Sequence, residues 1–341
     1  MRVNLLNSFF GNDIHFYTKY LEVWNIEHIF TPQYKDMIPE FKSIFDLLKA
    51  FPDEQSCIDH LERLSWDGNP VSPFAPESKV YKCAGNKYKC KNTGKYFNVR
   101  TGSIFDNTKI PLQKWFLALY VFSSHKKGIS SHQLAKDISV TQKSAWFLLH
   151  RLRYAFGHPN FKQTLGNIVE IDETFVGGKG YNKHESKKNK NAAGNTIPDS
   201  QPVLGMIERD GNIIARVVPN RHRATLLPVI YSHIEADSII MTDELPAYKD
   251  LRIDYTHHRV NHGAKEYVNG MAHTNGIENF WSHLKRGIDG IYHWVSKDHL
   301  QSYVDEYTLR FNTRKFDTQS RFDLILSAVS NKRLTYQDLI K

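Results

Sequence analysis

Nine residues at 168 to 176, IVEIDETFV, are apolar and β-branched around an acidic centre. Such a run reads as a buried strand, and a buried strand commits the chain to a sheet with other layers packed on it. The residues that follow supply those layers in order. A lysine-rich loop at 177 to 200 leads into a hairpin, VLGMIE and NIIARVVP, turned at Arg209-Asp210-Gly211. A helix over about 223 to 235, a strand SIIMTD at 238 to 243, a further strand at 255 to 260 and a helix from 276 come next.

Strand, hairpin, helix, strand, helix is the order of a ribonuclease H-like α/β core with a mixed sheet. The loop at 177 to 200 carries five lysines and little to bury. A structureless loop of that length inside a domain is usually functional or disordered, so it reads either as a solvated charge run or as an arm that tracks phosphates.

Upstream, Ile38, Phe41, Phe45, Leu48 and then Ile58, Leu61, Leu64 have helical spacing, broken at Pro52. Residues 66 to 108 are rich in Gly, Pro, Asn and Lys with short β-like runs, a small module whose core is thin without a staple. Residues 131 to 156 read as a short helix, a turn near Ile138 to Val140 and a second helix opened by Thr141 as N-cap. This is the sequence form of a helix-turn-helix. Gln142, Lys143 and Ser144 would start a recognition helix, and Arg151 and Arg153 would add cations for DNA. The plainer reading is two amphipathic helices packed together.

The 341-residue chain carries a net charge of +9, which favours a polyanionic partner, nucleic acid or an anionic membrane surface. Its longest apolar run, WFLALYVF at 115 to 122, is well short of the ~18 residues of a spanning helix, and its start lacks a signal-peptide pattern. No membrane partner and a cytoplasmic location are expected, nucleoid-associated when on DNA. Three cysteines, Cys57, Cys83 and Cys90, have no paired spacing, so reduced thiols are the default.

Three acidic residues form the candidate chemical constellation. Asp172 lies mid-strand, on the face shared with Glu170 and Thr174 and opposite Ile171 and Glu173. Asp243 ends the next strong strand, where open α/β sheets bind their ligands. Glu278 lies in HTNGIENFWSHLKR at 273 to 286, where Ile277, Phe280, Trp281 and Leu284 form an apolar stripe and Glu278, Ser282 and Lys285 a polar one beside it. Like charges about 4 Å apart repel by roughly 4 kcal/mol at an effective dielectric near 20, so three converging carboxylates would protonate or bind a cation. The competing reading makes Asn275 and Glu278 a capping box, with Gly287 as the C′ residue. Asp305 and Glu306 are rivals for Glu278. His257, His258 and His262 in THHRVNH lack a cysteine partner and read as lining a cleft or meeting DNA rather than holding a transition metal.

These residues, with VRTGSIF at 99 to 105, KSAWFLLHRLR at 143 to 153, EIDETFVGGK at 170 to 179, TDELPAY at 242 to 248, YHWVSKDHL at 292 to 300 and RFNTR at 310 to 314, resemble the DDE transposases of bacterial insertion sequences that carry an amino-terminal zinc ribbon. The resemblance implies that Asp172, Asp243 and Glu278 hold Mg2+ or Mn2+, as two ions, with Lys285 the accompanying basic residue and Arg286 beside it on DNA. It implies binding of double-stranded terminal repeats, hydrolytic nicking, strand transfer by the freed 3′-hydroxyl and a homo-oligomer on DNA. The family's ribbon has two CxxC pairs, whose positions here hold Ser72, Ala75, Cys90 and Thr93. Zinc is therefore not expected.

The expected organisation is a helical segment at 1–65, a degenerate ribbon-like module at 66–108, a helix-turn-helix region at 109–160, a catalytic domain at 165–320 and a tail at 321–341. A non-catalytic DNA-binding regulator derived from a transposase is the alternative, weakened by the survival of all three acidic positions.

Overall fold

The computed structural model describes residues 40–156, 164–178, 184–188, 190, 200–260, 273–329 and 332–340. The chain divides into two compact units, 1–161 with 316–341, and 162–315. Most of the residues read as the initial helical segment, His262 and most of the lysine-rich loop lie outside the described residues.

In the first unit, α1 (Ile44–Ala50) and α2 (Glu54–Trp66) flank Pro52, and both open with capping boxes, on Ser43 and Asp53. The face of α1 that packs inward carries Leu47, while Phe45 and Leu48 of the expected stripe are exposed. Strands β1 (Val80–Cys83), β2 (Lys87–Cys90) and β3 (Tyr96–Phe97) form an antiparallel sheet. Its core is aromatic: Tyr88 and Phe97 are buried, and Trp66 meets Tyr88 edge-on at 5.1 Å.

Helix α3 (Leu112–Ser124) precedes α4 (Ser131–Asp137) and α5 (Gln142–Phe156). Between α4 and α5 the chain turns at Ser139, φ +51, and the Thr141 hydroxyl accepts from the Ser144 N–H. The residues read as a tail are a correction. The helix Thr318–Ser327 is part of this unit's core, where Phe322 packs on Phe41 and Phe116 at ring distances of 5.2 and 5.6 Å. Aromatic burial of that kind explains why the helix Thr318–Ser327 docks: a tail without such a face would have nothing to dock.

The second unit is a five-stranded mixed sheet. Strands β4 (Ile168–Val176), β5 (Gln201–Glu208), β6 (Ile213–Val217), β7 (Ile239–Thr242) and β8 (Thr256–Arg259) lie in the order β6-β5-β4-β7-β8. The β4, β5 and β6 pairings are antiparallel, and β7 and β8 run parallel to β4. Three antiparallel strands continued by two parallel ones is the ribonuclease H-like sheet.

Helix α6 (Arg223–Tyr231) covers one face through Leu226, Leu227 and Ile230, packed with Val169, Ile171, Leu204 and Met206. Helices α7 (Asn275–Gly287) and α8 (Leu300–Asn312) cover the other through Ile277, Phe280, Trp281, Leu284 and Val304. Gly205 on β5 lets α7 lie down on the sheet, since a Cβ there would sit 2.6 Å from the Trp281 ring and 2.7 Å from Ile277.

Candidate active site

Register brings the first two carboxylates together. The β4–β7 ladder ends with Ile171 opposite Thr242, so the next step along both strands reaches Asp172 and Asp243. Neighbouring strands lie about 4.8 Å apart, and β7 stops where β4 continues, at the strand ends where open sheets place ligands. The Oδ1 of Asp243 accepts from the Leu245 N–H at 2.9 Å, which fixes the carboxylate as the chain leaves the sheet.

Asp172, Glu173 and Asp243 each bring a carboxylate oxygen to within 4.8 Å of the others, the one such group of metal-ligating side chains found among the described residues. Glu173 was assigned by alternation to the face opposite Asp172. Its side chain does belong to that face, where Oε1 accepts from the Tyr248 hydroxyl at 2.6 Å. At the end of the neighbouring strand the two faces are no longer separated by sheet, so both residues reach Asp243. The adjacency of Asp172 and Glu173 in the middle of β4 was the available signal.

Glu278 is outside this tight group. It is exposed on the first turn of α7, where Oε1 accepts from the Thr274 hydroxyl at 3.3 Å, and its charge acts on Asp172. The polar stripe is as the spacing implies: Glu278, Ser282 and Lys285 are exposed while Ile277, Phe280, Trp281 and Leu284 are buried. The capping role proposed for Asn275 and Glu278 is not used, because Thr274 is the N-cap and makes no side-chain cap bond. A buried residue of β4 performs it instead. Glu170 accepts from the backbone N–H groups of Gly276 and Ile277 at 2.8 and 3.2 Å and pairs with Arg209 at 3.0 Å. An anion at a helix N-terminus satisfies orphan donors and the dipole together. Gly287 is not a C′ residue either: it lies within α7 at φ −72, buried against Tyr307.

Burial sets the electrostatics. It pushes the Asp172 carboxyl up to about 6, against a hydrogen bond donated by Trp281 Nε1 to Oδ2 at 2.9 Å that lowers it, with Asp243 and Glu278 raising it further. Burial likewise pushes Glu173 up to about 7, with Asp243 and Asp172 adding to the rise. Arg221 acts on Glu173 in the opposite sense. Hard oxygen donors, close together and half-desolvated, suit a divalent cation.

His257 on β8 is adjacent: its Nε2 pairs with the Thr242 hydroxyl at 2.8 Å, and burial lowers its pKa to about 4. The rivals for Glu278 have structural partners. Asp305 pairs with Arg216 at 3.3 Å, and Glu306 with Arg310 at 2.7 Å.

Two expected DNA contacts are corrected. Arg151 and Arg153 are 6% and 1% exposed. The Arg151 guanidinium donates to the carbonyls of Ile104, Asp106 and Leu334, so it holds the first unit together rather than facing solvent. Gln142 and Lys143 are exposed at the start of α5, Ser144 is half-buried in the cap, and Lys285 and Arg286 are exposed on α7.

The ribbon positions also converge. Cys90 is fully buried, and its thiol is drawn down to about 6 by hydrogen bonds from the hydroxyls of Ser72, Ser78 and Thr93, while Ala75 packs against the same cluster. One thiol, hydroxyls and a methyl group do not make a tetrahedral zinc site.

The class of fold is a ribonuclease H-like sheet with carboxyl groups clustered where its fourth strand ends beside the middle of its first. Residues 164–312 match the family of ISXO2-like transposase domains. A protein of the transposable element ISH50 from Halobacterium salinarum is 28% identical over 278 residues, spanning 77% of this chain and 92% of that protein. A transposase-like protein of Haemophilus influenzae is 36% identical over 104 residues, 30% of this chain and 83% of that one. The chain belongs to the insertion-sequence DDE transposases. A pre-cleavage Mos1 transpososome aligns with 64% of this chain and 79% of its own at 10% identity and a TM-score of 0.26, too distant to bear on the site. No helix among the described residues is long and apolar enough to cross a membrane.

Proposed function

We propose that the protein binds the terminal inverted repeats of its insertion sequence and cuts and rejoins DNA there with Mg2+ or Mn2+, held by Asp172, Asp243 and Glu278 with Glu173 beside them. The observation that carries this reading is the convergence of Asp172, Glu173 and Asp243 within 4.8 Å where β7 ends beside β4. When bound, one or two such cations supply Lewis acidity at the phosphorus and a more acidic water.

The chain's own groups position the reactants. Trp281 orients the Asp172 carboxylate. Lys285, on the exposed stripe of α7 with Glu278, offers its ammonium to phosphate oxygens. In the first step a water oxygen bonds to phosphorus and the bond to the 3′-oxygen breaks. In the second, the freed 3′-hydroxyl oxygen bonds to a target phosphorus and loses its proton while the bond from that phosphorus to the target strand's own 3′-oxygen breaks and that oxygen leaves as a hydroxyl, with no covalent protein intermediate. Gln142 and Lys143, with Ser144 behind them, start the helix that would read the ends. Joining two ends calls for a homo-oligomer on DNA.

Asp172→Asn and Asp243→Asn are expected to abolish cleavage of a duplex carrying the element's own end, in Mg2+ or Mn2+, and to leave binding of that duplex largely intact. Unchanged cleavage by both variants would remove the reading.

A further inference from the structure

The small sheet of the first unit has two unlike faces. Val80, Tyr88, Cys90 and Phe97 point inward, to the aromatic core that Trp66 joins. On the other face the register puts Tyr81 of β1, Lys89 of β2 and Tyr96 of β3 in one row. Alternation adds Lys87 to that face. Lys79 and Lys91 extend it just outside the strands, where the Lys91 N–H donates to the Lys79 carbonyl at 2.9 Å. The two rings are left in solvent, Tyr81 42% and Tyr96 58% exposed.

Scattered surface lysines are ordinary. These four share one face, and nothing acidic accompanies them: from Ser78 to Phe105 the chain has six lysines, one arginine and no Asp or Glu. Arg100 pairs with Glu54. Lys79, Lys87, Lys89 and Lys91 make no ion pair among the described residues. The neighbouring carboxylate of α2, Glu62, is on the inner side, where it accepts from the Tyr88 hydroxyl at 2.8 Å. Two of the ammonium groups rest on rings of their own face instead: Lys79 Nζ lies 5.5 Å from the Tyr81 ring centre, and Lys89 Nζ 5.5 Å from that of Tyr96. A lysine held over a ring has less freedom left to lose when it meets an anion.

We propose that the outer face of β1–β3 is a second DNA-contacting surface, which holds the phosphate backbone of the bound duplex without reading its bases. The proposal rests on the end-binding reading above. A one-signed patch with no acid of its own is complementary to a polyanion. Phosphates are met by lysine and by tyrosine hydroxyls, the two side chains that make up this face, and such contacts fix register on the duplex while carrying no sequence information.

Spacing agrees as well. Lys87, Lys89 and Lys91 stand two residues apart on extended chain, so the row is about 14 Å long. At ~3.4 Å per phosphate along one strand of a duplex, that is about four phosphate steps. The first unit then divides the work: Gln142 and Lys143 at the start of α5 read the end, and the sheet holds it.

The test measures binding of the full chain across a salt series, without divalent cations, to a duplex carrying the element's end and to an unrelated duplex of the same length. The wild type is compared with the triple variant Lys87→Gln, Lys89→Gln, Lys91→Gln and with the same three positions changed to Arg. For the Gln variant the slope of log affinity against log salt should fall by about 2.7, ~0.9 for each of three phosphate contacts. At ~0.1 M salt it should bind both duplexes about tenfold or more weakly, by the same factor, so that preference for the end is kept. Lysines more than a Debye length of about 10 Å from the DNA would leave the slope nearly unchanged. The Arg variant should behave as the wild type, and the melting of all three should agree because the face is exposed. The proposal is overturned if the Gln variant keeps the wild-type slope and affinity, if it loses affinity for the end alone, or if it changes self-association while DNA binding stays intact. A wild type that binds neither duplex would bring down the end-binding reading first, and this proposal with it.

Discussion

The acidic cluster of the second unit and the Cys90 cluster of the first are the two places where resemblance to zinc-ribbon-bearing transposases puts metal ligands, and only the acidic one holds the expected ligand types. Around Cys90 the other three ligand positions hold Ser72, Ala75 and Thr93, none of them a thiolate, and aromatic packing of Trp66, Tyr88 and Phe97 surrounds the site. Where β7 ends beside β4 in the second unit, Asp172, Glu173 and Asp243 keep their carboxyl groups within 4.8 Å of one another, and burial raises Asp172 and Glu173. A metal that only fastens a fold can be replaced by apolar contact, because both act by stabilising the same compact state. A metal that takes part in phosphoryl transfer has no apolar substitute.

The largest effect that would sharpen this contrast lies in the aromatic replacement. Phe97 is 3% exposed between Tyr88 and Trp66. Phe97→Ala should cost about 3–5 kcal/mol and open the β1–β3 module, read by protease sensitivity within residues 66–108 and by Trp fluorescence. A variant that melts like the wild type would mean that something other than aromatic packing holds the module.

A smaller effect is expected at the carboxylates. Burial places Asp172 at about 6 and Glu173 at about 7, both above their unfolded values. Folded chains therefore hold these protons more tightly than unfolded ones. The favourable contribution is complete below about pH 4 and is lost as pH rises through 6 to 7. Without divalent cations the second unit should lose about 1–3 kcal/mol of stability between pH 5 and pH 8, and Mg2+ should restore more of it at pH 8 than at pH 5. Asp172→Asn should flatten that pH dependence and raise the melting temperature of the metal-free protein at pH 8. A flat profile in the wild type would mean that the carboxylates are not competing with protons for the site.

Legibility in the sequence follows the range of the interaction. The strand IVEIDETFV, the hairpin turn at Asp210 (φ +57) and the Thr141 cap are each decided by residues within a few positions, and each lies where the local pattern puts it. Alternation also assigned Asp172 and Glu173 to opposite faces correctly. It could not say that β7 would end at Thr242 and let both reach Asp243, since strand length on a neighbour is not encoded in β4. The misreadings share that cause. Arg151 and Arg153 look like DNA contacts on a basic helix, yet the Arg151 partners are carbonyls at Ile104, Asp106 and Leu334, far away in sequence. The cap of α7 comes from Glu170, a hundred residues upstream, so the nearer Asn275 and Glu278 were the natural but wrong candidates.

The smallest effect tests the comparison most directly, because it asks whether Cys90 is a ligand or a packed side chain. Removing a ligand from a structural zinc site unfolds it, and chelators do the same. In Cys90→Ser, by contrast, a hydroxyl keeps its place among Ser72, Ser78 and Thr93 and only the larger, softer sulfur is lost. The expected cost is about 1 kcal/mol, an ordinary value for a buried substitution. Treatment with EDTA should leave the melting of residues 66–108 unchanged while it stops DNA cleavage, and elemental analysis should find no stoichiometric zinc. If EDTA or Cys90→Ser unfolds the module, the first unit holds a metal after all, and the contrast reduces to two metal sites of different chemistry.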